Sequence, residues 1–227
     1  VEKHGGRLGF TTGQVFSSTK LINTAMSGLS EDVRKYIIDF KTRYSMQDIR
    51  KYAEKASQLK VLVIGDVIID KYSYCQVQGM MSKDMGYSAR LSTSEEYLGG
   101  AVAIARHISA FTDQVTLKSI IGNEEDKKQC MMQNLSGRMT LDLEYSEVYP
   151  TIVKHRYLTK NQKREEYHKI FAINNIPENG SYEAAVYDKF KDNLRKTIKE
   201  YDVVFLCDFG HGLIDRDIIE IVQSGAH

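Results

Sequence analysis

The hydrophobic pattern of the chain changes near residue 60, where the segment VLVIGDVIID begins. This apolar run is rich in Val and Ile, as is typical of a strand that is covered on both faces. Before it, apolar positions recur with helical spacing in two segments that begin at Ser30 and Ser45. The pattern therefore predicts a helical hairpin or linker, followed by the first strand of a folded domain.

Strand-like and helix-like patterns alternate after this first strand. A helix is predicted after Gly99 and Gly100, and residues 71–98, whose periodicity is poor, are predicted to add strands or loops of an accessory sheet. The remaining predictions, in order, are a strand near 115–121, a helix near 124–135, strand-like segments near 142–148, 151–158 and 166–174, a long helix through 186–201, a buried strand at DVVFLCD and a helix near 215–224. This alternation predicts a layered α/β domain with a largely parallel sheet.

Three parts are therefore predicted along the chain. Residues 1–29 are rich in Gly, Ser and Thr and contain too few apolar side chains to bury a core of their own. Residues 30–59 form the helical linker, and residues 60–227 form the α/β domain.

Composition narrows the classes of function. Lys and Arg number 31 against 30 Asp and Glu, and this net charge of +1 argues against a nucleic-acid binder. No apolar run reaches the roughly 18 residues of a membrane span, and the N-terminal segment lacks the apolar region of a secretory signal. The three cysteines have neither a disulfide-framework nor a zinc-site spacing. We therefore expect a cytoplasmic protein that binds small molecules or proteins, but no nucleic acid and no membrane.

Two glycine-containing clusters are candidates for ligand binding. Asp66 and Asp70 follow Gly65 at the end of the first strand, where an ionised carboxylate can accept hydrogen bonds from sugar hydroxyls. Gly and Asp are also common turn residues at strand ends, so the spacing alone favours a simple turn with a solvated Asp over a ligand site. Gly99 and Gly100 open a helix, where exposed backbone N–H groups suit an anionic or hydroxyl-bearing ligand, or where the helix packs tightly on a sheet.

Charged side chains form two further clusters. Lys154 and Arg156 are two residues apart in a predicted strand and so share one face, as a phosphate clamp or as a solvated edge. Asp208 and His211 lie among glycines after a buried strand. Asp208 would help to hold a metal ion or a phosphate-bearing ligand, and His211 would hydrogen-bond a ligand. A turn-forming Asp and an incidental His are the alternative. No HExxH or GxSxG pattern supports hydrolytic zinc or nucleophile-elbow chemistry.

Taken in order, five segments resemble the ribokinase-like carbohydrate kinases, and above all the bacterial kinases of heptose phosphate: VLVIGDVIIDKY, EYLGGAVAIARHISAF, SIIGNEED, PTIVKHRYL and DVVFLCDFGHGL. The resemblance covers about residues 60–227. It implies a layered α/β/α domain with a small β lid, incomplete at its C-terminus. It also implies an ATP-dependent transferase that uses Mg and ATP, with the sugar bound between the domain and its lid.

The resemblance assigns roles to five residues by position. Asp70 would bind sugar hydroxyls, Gly99 and Gly100 would line the sugar pocket, and Lys154 and Arg156 would approach the phosphate of a sugar phosphate.

Two departures from the family pattern change the expectation. Ala103 stands where many members carry Asn, so one polar contact to the sugar is missing. The Gly-Ala-Gly-Asp segment, which supplies the base and the anion hole in the family, does not occur within the 227 residues. Catalytic residues are therefore not assigned, and the chain alone is expected to be inactive in phosphoryl transfer.

The N-terminal segment TTGQVFSSTKLIN resembles the closing motif of cytidylyltransferase-type nucleotidyltransferases. The resemblance implies that Ser17, Ser18 and Thr19 contact nucleotide phosphates at a helix N-terminus, although an ordinary helix cap explains the same residues. Residues 1–29 would then be the tail of a nucleotidyltransferase-like domain that precedes the kinase.

The combined prediction is part of a bifunctional sugar-activating protein whose kinase domain phosphorylates a sugar or sugar phosphate from Mg-ATP. Two alternatives stay open: a catalytically incomplete sugar-binding or assembly module, and a sugar-phosphate nucleotidyltransferase. A homo-oligomer is expected, because a truncated sheet exposes an edge strand and apolar surface.

Overall fold

A computed structural model describes residues 29–83, 85–135, 137, 139–160, 166–176 and 182–225. The chain divides into two units, residues 1–51 and 52–227. The predicted nucleotide contacts Ser17, Ser18 and Thr19 lie outside the described residues.

In chain order the described residues form α1 (Glu31–Arg43), α2 (Met46–Ala56), β1 (Val61–Gly65), β2 (Val67–Met80), β3 (Tyr87–Gly100), α3 (Ala101–Ile108), β4 (Val115–Gly122), α4 (Glu125–Asn134), β5 (Met139–Ser146), β6 (Ile152–Lys160), β7 (Tyr167–Asn175), α5 (Ala184–Thr197), β8 (Val203–Cys207) and α6 (Arg216–Gly225). Within this described part of the chain, no helix is long and apolar enough to cross a membrane.

The two predicted linker helices are present, and side chains cap both. The Ser30 hydroxyl accepts a hydrogen bond from the backbone N–H of Val33 at 3.4 Å at the start of α1. At the start of α2, the Ser45 hydroxyl accepts from the backbone N–H of Asp48 at 3.2 Å, and the Asp48 carboxylate accepts from the backbone N–H of Ser45 at 2.9 Å. This reciprocal pair is a capping box with Asp in the place of Glu.

The central sheet is parallel, with the strand order β5-β4-β1-β8. Alternate side chains of β1 enter opposite cores, which explains why its sequence is apolar throughout. Val61 and Val63 pack with residues of α3 and α4, whereas Leu62 and Ile64 pack with residues of α5 and α6. These three layers confirm the predicted α/β/α arrangement.

The lid is a second sheet with the strand order β3-β2-β6-β7. Strands β2 and β3 form an antiparallel hairpin, β6 lies parallel to β2, and β7 lies antiparallel to β6. The accessory sheet predicted for residues 71–98 is therefore confirmed. One of its faces carries Asp70, Lys154 and Arg156, and the other carries His155 and Tyr157, whose rings stack with centroids 4.1 Å apart.

Two details of the strand prediction were wrong. The run VLVIGDVIID is not one strand, because it divides at Asp66 into β1 of the central sheet and the start of β2 of the lid. Both halves are buried, so hydrophobicity alone does not reveal the division. Strand β8 is not fully buried, since it pairs only with β1 among the described strands and leaves Phe205 42% and Leu206 36% exposed.

A lysine is buried in the central sheet. The Lys118 side chain on β4 is 0% exposed, and its Nζ lies 2.6 Å from Oδ2 of Asp142 on β5. The same ammonium lies 5.0 Å from the ring centroid of Phe190 on α5. Because a buried charge without a partner is costly, the fold depends on this pair staying intact.

We predict that Asp142→Asn destabilises the protein by about 2–3 kcal/mol, because it leaves the buried Lys118 ammonium uncompensated. This loss is at or below the roughly 3–5 kcal/mol that is typical when one partner of a fully buried ion pair is removed. It is smaller because the Asp142 side chain is 28% exposed. Urea-induced unfolding would measure the free-energy difference. The matched control is Asp192→Asn, which breaks a surface pair with Arg195 and should cost less than about 0.5 kcal/mol. Equal effects of the two substitutions would contradict the prediction.

Candidate ligand site at the junction of sheet and lid

One residue, Asp66, connects the two sheets and the loops around them. It is the single residue between β1 and β2 and is 1% exposed. Its backbone carbonyl accepts a hydrogen bond from the N–H of Ala101 at 2.9 Å, at the start of α3. Its Oδ2 accepts from the N–H of Phe209 at 3.2 Å, in the loop of residues 208–213 that follows β8. Asp66 therefore brings the glycine pair and this loop to one place.

The glycine pair is required by close contacts on both sides. Gly100 has a φ of +60°, and a Cβ there would lie 2.3 Å from the carbonyl oxygen of Asp66. A Cβ at Gly99 would lie 2.4 Å from Oδ2 of Asp70. The absence of a side chain at Gly99 thus allows the Asp70 carboxylate to approach the end of β3. Gly99 therefore lies beside the Asp70 carboxylate, and Gly100 lies beside the backbone carbonyl of Asp66.

Two predicted ligand-binding side chains contact each other. Nη1 of Arg156 lies 2.5 Å from Oδ1 of Asp70, and their side chains are 30% and 25% exposed. The Arg156 guanidinium also lies 5.2 Å from the ring centroid of Tyr72. The hydrogen bond to Asp70 raises the pKa of Arg156, so this guanidinium stays charged. The predicted hydroxyl-binding and phosphate-binding groups therefore form one ion pair at the base of the lid.

Lys154 lies on the same face, opposite Asp70 in the register of β2 and β6. It is also close enough to the 208–213 loop for its charge to affect His211: burial and then the positive charge of Lys154 lower the pKa of that imidazole. Lys154 thus links the face that carries Asp70 and Arg156 with the 208–213 loop.

Asp208 is exposed, and its Oδ1 accepts a hydrogen bond from the N–H of Gly210 at 2.8 Å. This contact is a turn within the loop. The described residues contain no group of three or more His, Cys, Asp or Glu side chains that could hold a metal ion. The predicted role of Asp208 beside a metal or phosphate therefore stays a prediction.

Two tyrosines that the sequence pattern did not single out hold the same loop. The Tyr149 hydroxyl donates to the carbonyl of His211 at 2.5 Å, and the Tyr187 hydroxyl donates to the carbonyl of Leu213 at 3.1 Å. Gly212 between them has a φ of +89°. Tyr149 directly precedes the PTIVKHRYL segment, and this position was the one sequence signal that could have indicated it.

Glu124 fixes the start of β6, another role that the sequence pattern did not reveal. Its carboxylate accepts hydrogen bonds from the hydroxyl of Thr151 at 2.8 Å and from the N–H of Thr151 at 3.2 Å. The Thr151 hydroxyl in turn accepts from the N–H of Gly122 at 3.1 Å. These bonds tie the end of β4 to the strand that carries Lys154 and Arg156.

A cavity of about 500 Å³ lies on the Asp70 face of the lid. Asp70, Tyr72, Gly99 and Ala103 are among the residues that line it. Its volume lies within the range of small-molecule sites. Ala103 contributes only a methyl group, so the polar character of the lining comes from Asp70 and the tyrosine hydroxyls.

The curated relatives that match the chain include a kinase and a bifunctional protein. A D-beta-D-heptose 7-phosphate kinase of Bordetella bronchiseptica is 27% identical over 164 residues, which cover 72% of this chain and 50% of the relative. The bifunctional protein HldE of Haemophilus influenzae is 27% identical over 178 residues, which cover 76% of this chain and 34% of that protein. The chain thus spans half or less of the length of these relatives. No protein-family model matches it.

Among solved structures, phosphofructokinase-2 from Escherichia coli in complex with fructose-6-phosphate matches 74% of this chain and 52% of its own. The TM-score is 0.50 and the sequence identity is 7%. At this identity the likeness concerns the fold alone, and it agrees with the layered sheet and lid described above.

We predict that Gly100→Ala destabilises the protein by about 2–4 kcal/mol, because Ala strains the positive φ and its Cβ collides with the Asp66 carbonyl oxygen. Thermal unfolding would measure the loss. The matched control is Gly137→Ala, because a Cβ at Gly137 meets no atom within 4 Å. A melting temperature of Gly100→Ala equal to that of the control would show that the turn does not require glycine.

Proposed function

We propose that this chain, a member of the ribokinase-like carbohydrate kinases by its fold and its relatives, binds a sugar phosphate at the junction of sheet and lid. The protein that contains it would transfer the γ-phosphate of ATP to that sugar. The observation that carries the proposal is the convergence of one carboxylate and two cations, Asp70, Lys154 and Arg156, beside the glycine pair that opens α3.

The chemistry of these groups fits the two parts of a sugar phosphate. An ionised Asp70 accepts hydrogen bonds from sugar hydroxyls, and it lines the cavity described above together with Gly99. Lys154 and Arg156 supply positive charge for a phosphate that the substrate already carries. The relative named heptose 7-phosphate kinase favours a heptose phosphate as the sugar.

The family implies that ATP is the phosphate donor and that it binds together with Mg. When bound, ATP supplies the phosphoryl group that is transferred. The described residues do not form a magnesium site, so no step of the transfer is assigned to them. The family's Gly-Ala-Gly-Asp segment does not occur in the sequence. We therefore propose that the 227-residue chain by itself binds the sugar phosphate and does not phosphorylate it.

A second candidate is a catalytically incomplete sugar-binding or assembly module, which the same cluster of Asp70, Lys154 and Arg156 would serve. It shares the binding step with the kinase and differs only in phosphoryl transfer. A nucleotidyltransferase activity is a third candidate, supported by the TTGQVFSSTKLIN segment and by the relatives whose name describes them as bifunctional. We propose the same three domains as the sequence predicts: residues 1–29 as the tail of a nucleotidyltransferase-like domain, residues 30–59 as a helical linker and residues 60–227 as part of the kinase domain.

We predict that two substitutions separate the sugar and phosphate contacts. Asp70→Ala should weaken binding of both heptose 7-phosphate and the unphosphorylated heptose at least about tenfold, because each has hydroxyls for the carboxylate. Lys154→Ala should weaken the phosphorylated ligand by about tenfold and leave the unphosphorylated one unchanged. Isothermal titration calorimetry would measure the affinities.

Lys196→Ala, on an exposed part of α5, is the matched control and should leave both affinities unchanged. The proposal fails if the unaltered chain binds no sugar phosphate, or if neither Asp70→Ala nor Lys154→Ala changes its affinity.

We also propose that the chain forms homo-oligomers through exposed apolar surface at β8. Light scattering should show a mass that rises with concentration above that of one chain. Phe205→Lys should reduce this association, because it adds a charge to the edge strand β8. The control is Phe111→Lys, which changes a 62% exposed aromatic residue outside β8 and should leave the association unchanged. The mass of a single chain at every concentration would contradict the proposal.

A further inference from the structure

Two buried polar atoms beside the candidate site have no hydrogen-bond partner among the described residues. They are Oδ1 of Asp66 and Nε2 of His211. Asp66 is 1% exposed, so bulk solvent does not reach its carboxylate. An unsatisfied buried polar group costs about 1–3 kcal/mol, and folded proteins rarely keep one without a reason.

The two atoms belong to one place. The other carboxylate oxygen of Asp66 accepts a hydrogen bond from Phe209, two residues before His211 in the same loop. Burial has the largest effect on both groups, raising the pKa of Asp66 and lowering that of His211, and the charge of each group acts on the pKa of the other in the opposite direction. The charged groups that act on His211 are Asp66, Asp208 in its own loop and Lys154 of the lid.

The fold prevents the loop from satisfying these atoms by rearrangement. The hydroxyls of Tyr149 and Tyr187 hold the backbone carbonyls of His211 and Leu213. Tyr149 is itself 2% exposed and stacks on Tyr182 with ring centroids 4.0 Å apart. The backbone on both sides of the imidazole is therefore anchored to a buried aromatic cluster.

We propose that Asp66 and His211 together bind one hydroxyl group of the sugar, and that they determine which sugar is accepted. A hydroxyl can donate a hydrogen bond to Oδ1 of Asp66 and accept one from Nε2–H of His211 at the same time. The inference rests on the proposed function, since it places the hydroxyl on the same ligand that Asp70 and Lys154 contact.

The chemistry of the pair excludes other ligand groups. A phosphate would meet the buried carboxylate of Asp66, which repels it. The described residues offer no cluster of three or more His, Cys, Asp or Glu side chains that would hold a metal ion here. Burial raises the pKa of Asp66 and lowers that of His211, so neither environment favours an extra charge. A neutral hydroxyl satisfies both atoms.

The test is a double-mutant cycle between the protein and its ligand. Heptose 7-phosphate and a set of its monodeoxy analogues, each lacking one hydroxyl, are titrated calorimetrically into the unaltered chain, Asp66→Asn and His211→Ala. We expect one analogue to bind the unaltered chain about 10–100-fold more weakly than the parent. Asp66→Asn and His211→Ala should each bind the parent sugar phosphate about 10–100-fold more weakly than the unaltered chain does. For each variant, the affinities for the parent and for that same analogue should differ by less than threefold, because the contact to the missing hydroxyl is already lost.

Controls separate folding from binding. His211→Gln keeps an N–H donor and should recover part of the lost affinity, which a purely structural role of the ring would not predict. His107→Ala, at an exposed histidine of α3, should bind all ligands as the unaltered chain does. Thermal unfolding of each variant identifies any that fail to fold, and the Asp66 and His211 variants test the inference independently.

The inference is overturned if Asp66→Asn and His211→Ala bind the parent within twofold of the unaltered chain while Asp70→Ala loses binding. The pair would then hold only a water molecule, and the proposed function would stand. If the unaltered chain binds no sugar phosphate, the proposed function fails, and the inference fails with it.

Discussion

The geometry of the candidate site depends on a single buried residue that joins two sheets. Because only Asp66 separates β1 from β2, the direction in which the lid leaves the central sheet is set at this residue. The same residue holds the first N–H of α3 and the loop after β8. A Cβ at the preceding Gly65 would lie 2.3 Å from the carbonyl oxygen of Cys207, so β1 and β8 also approach too closely for any side chain there. Three segments distant in sequence, around residues 65–67, 100–101 and 207–209, therefore meet at one point.

This arrangement places opposite charges close together in a partly buried space. Asp70 and Arg156 already form an ion pair, which keeps each side chain in position but occupies one oxygen of the carboxylate. A sugar phosphate would offer hydroxyls to the carboxylate and a phosphate to the guanidinium. On binding, contacts of Asp70 with hydroxyls and of Arg156 with the phosphate would therefore replace part of the ion pair between the two side chains. Lys154 adds a second cation beside this pair, opposite Asp70 in the register of β2 and β6 and opposite Asn174 in that of β6 and β7. The site is thus suited to a ligand that carries both hydroxyls and negative charge.

Much of this fold follows from the sequence, because apolar periodicity reports burial. The alternation of strands and helices, the Gly99-Gly100 helix start and the shared face of Lys154 and Arg156 were all predicted from local patterns and are present. The division of VLVIGDVIID at Asp66 was not predicted, since both halves are buried in different sheets.

The contacts that fix the site are long-range, and local pattern does not report them. Arg156 is 86 residues from Asp70, and Tyr149 is 62 residues from His211. The exposure of β8 depends on which strand lies next to it, which no property of its own five residues determines. The unsatisfied atoms of Asp66 and His211 likewise became visible only when the loop and the first strand were seen side by side.

Hydrogen–deuterium exchange with and without saturating heptose 7-phosphate tests most directly whether these segments form one ligand site. The account predicts slower exchange on ligand binding in residues 66–70, 98–103, 152–158 and 207–213 together, with no change in α1 and α2. Protection confined to other parts of the chain, or to only one of these four segments, would contradict it.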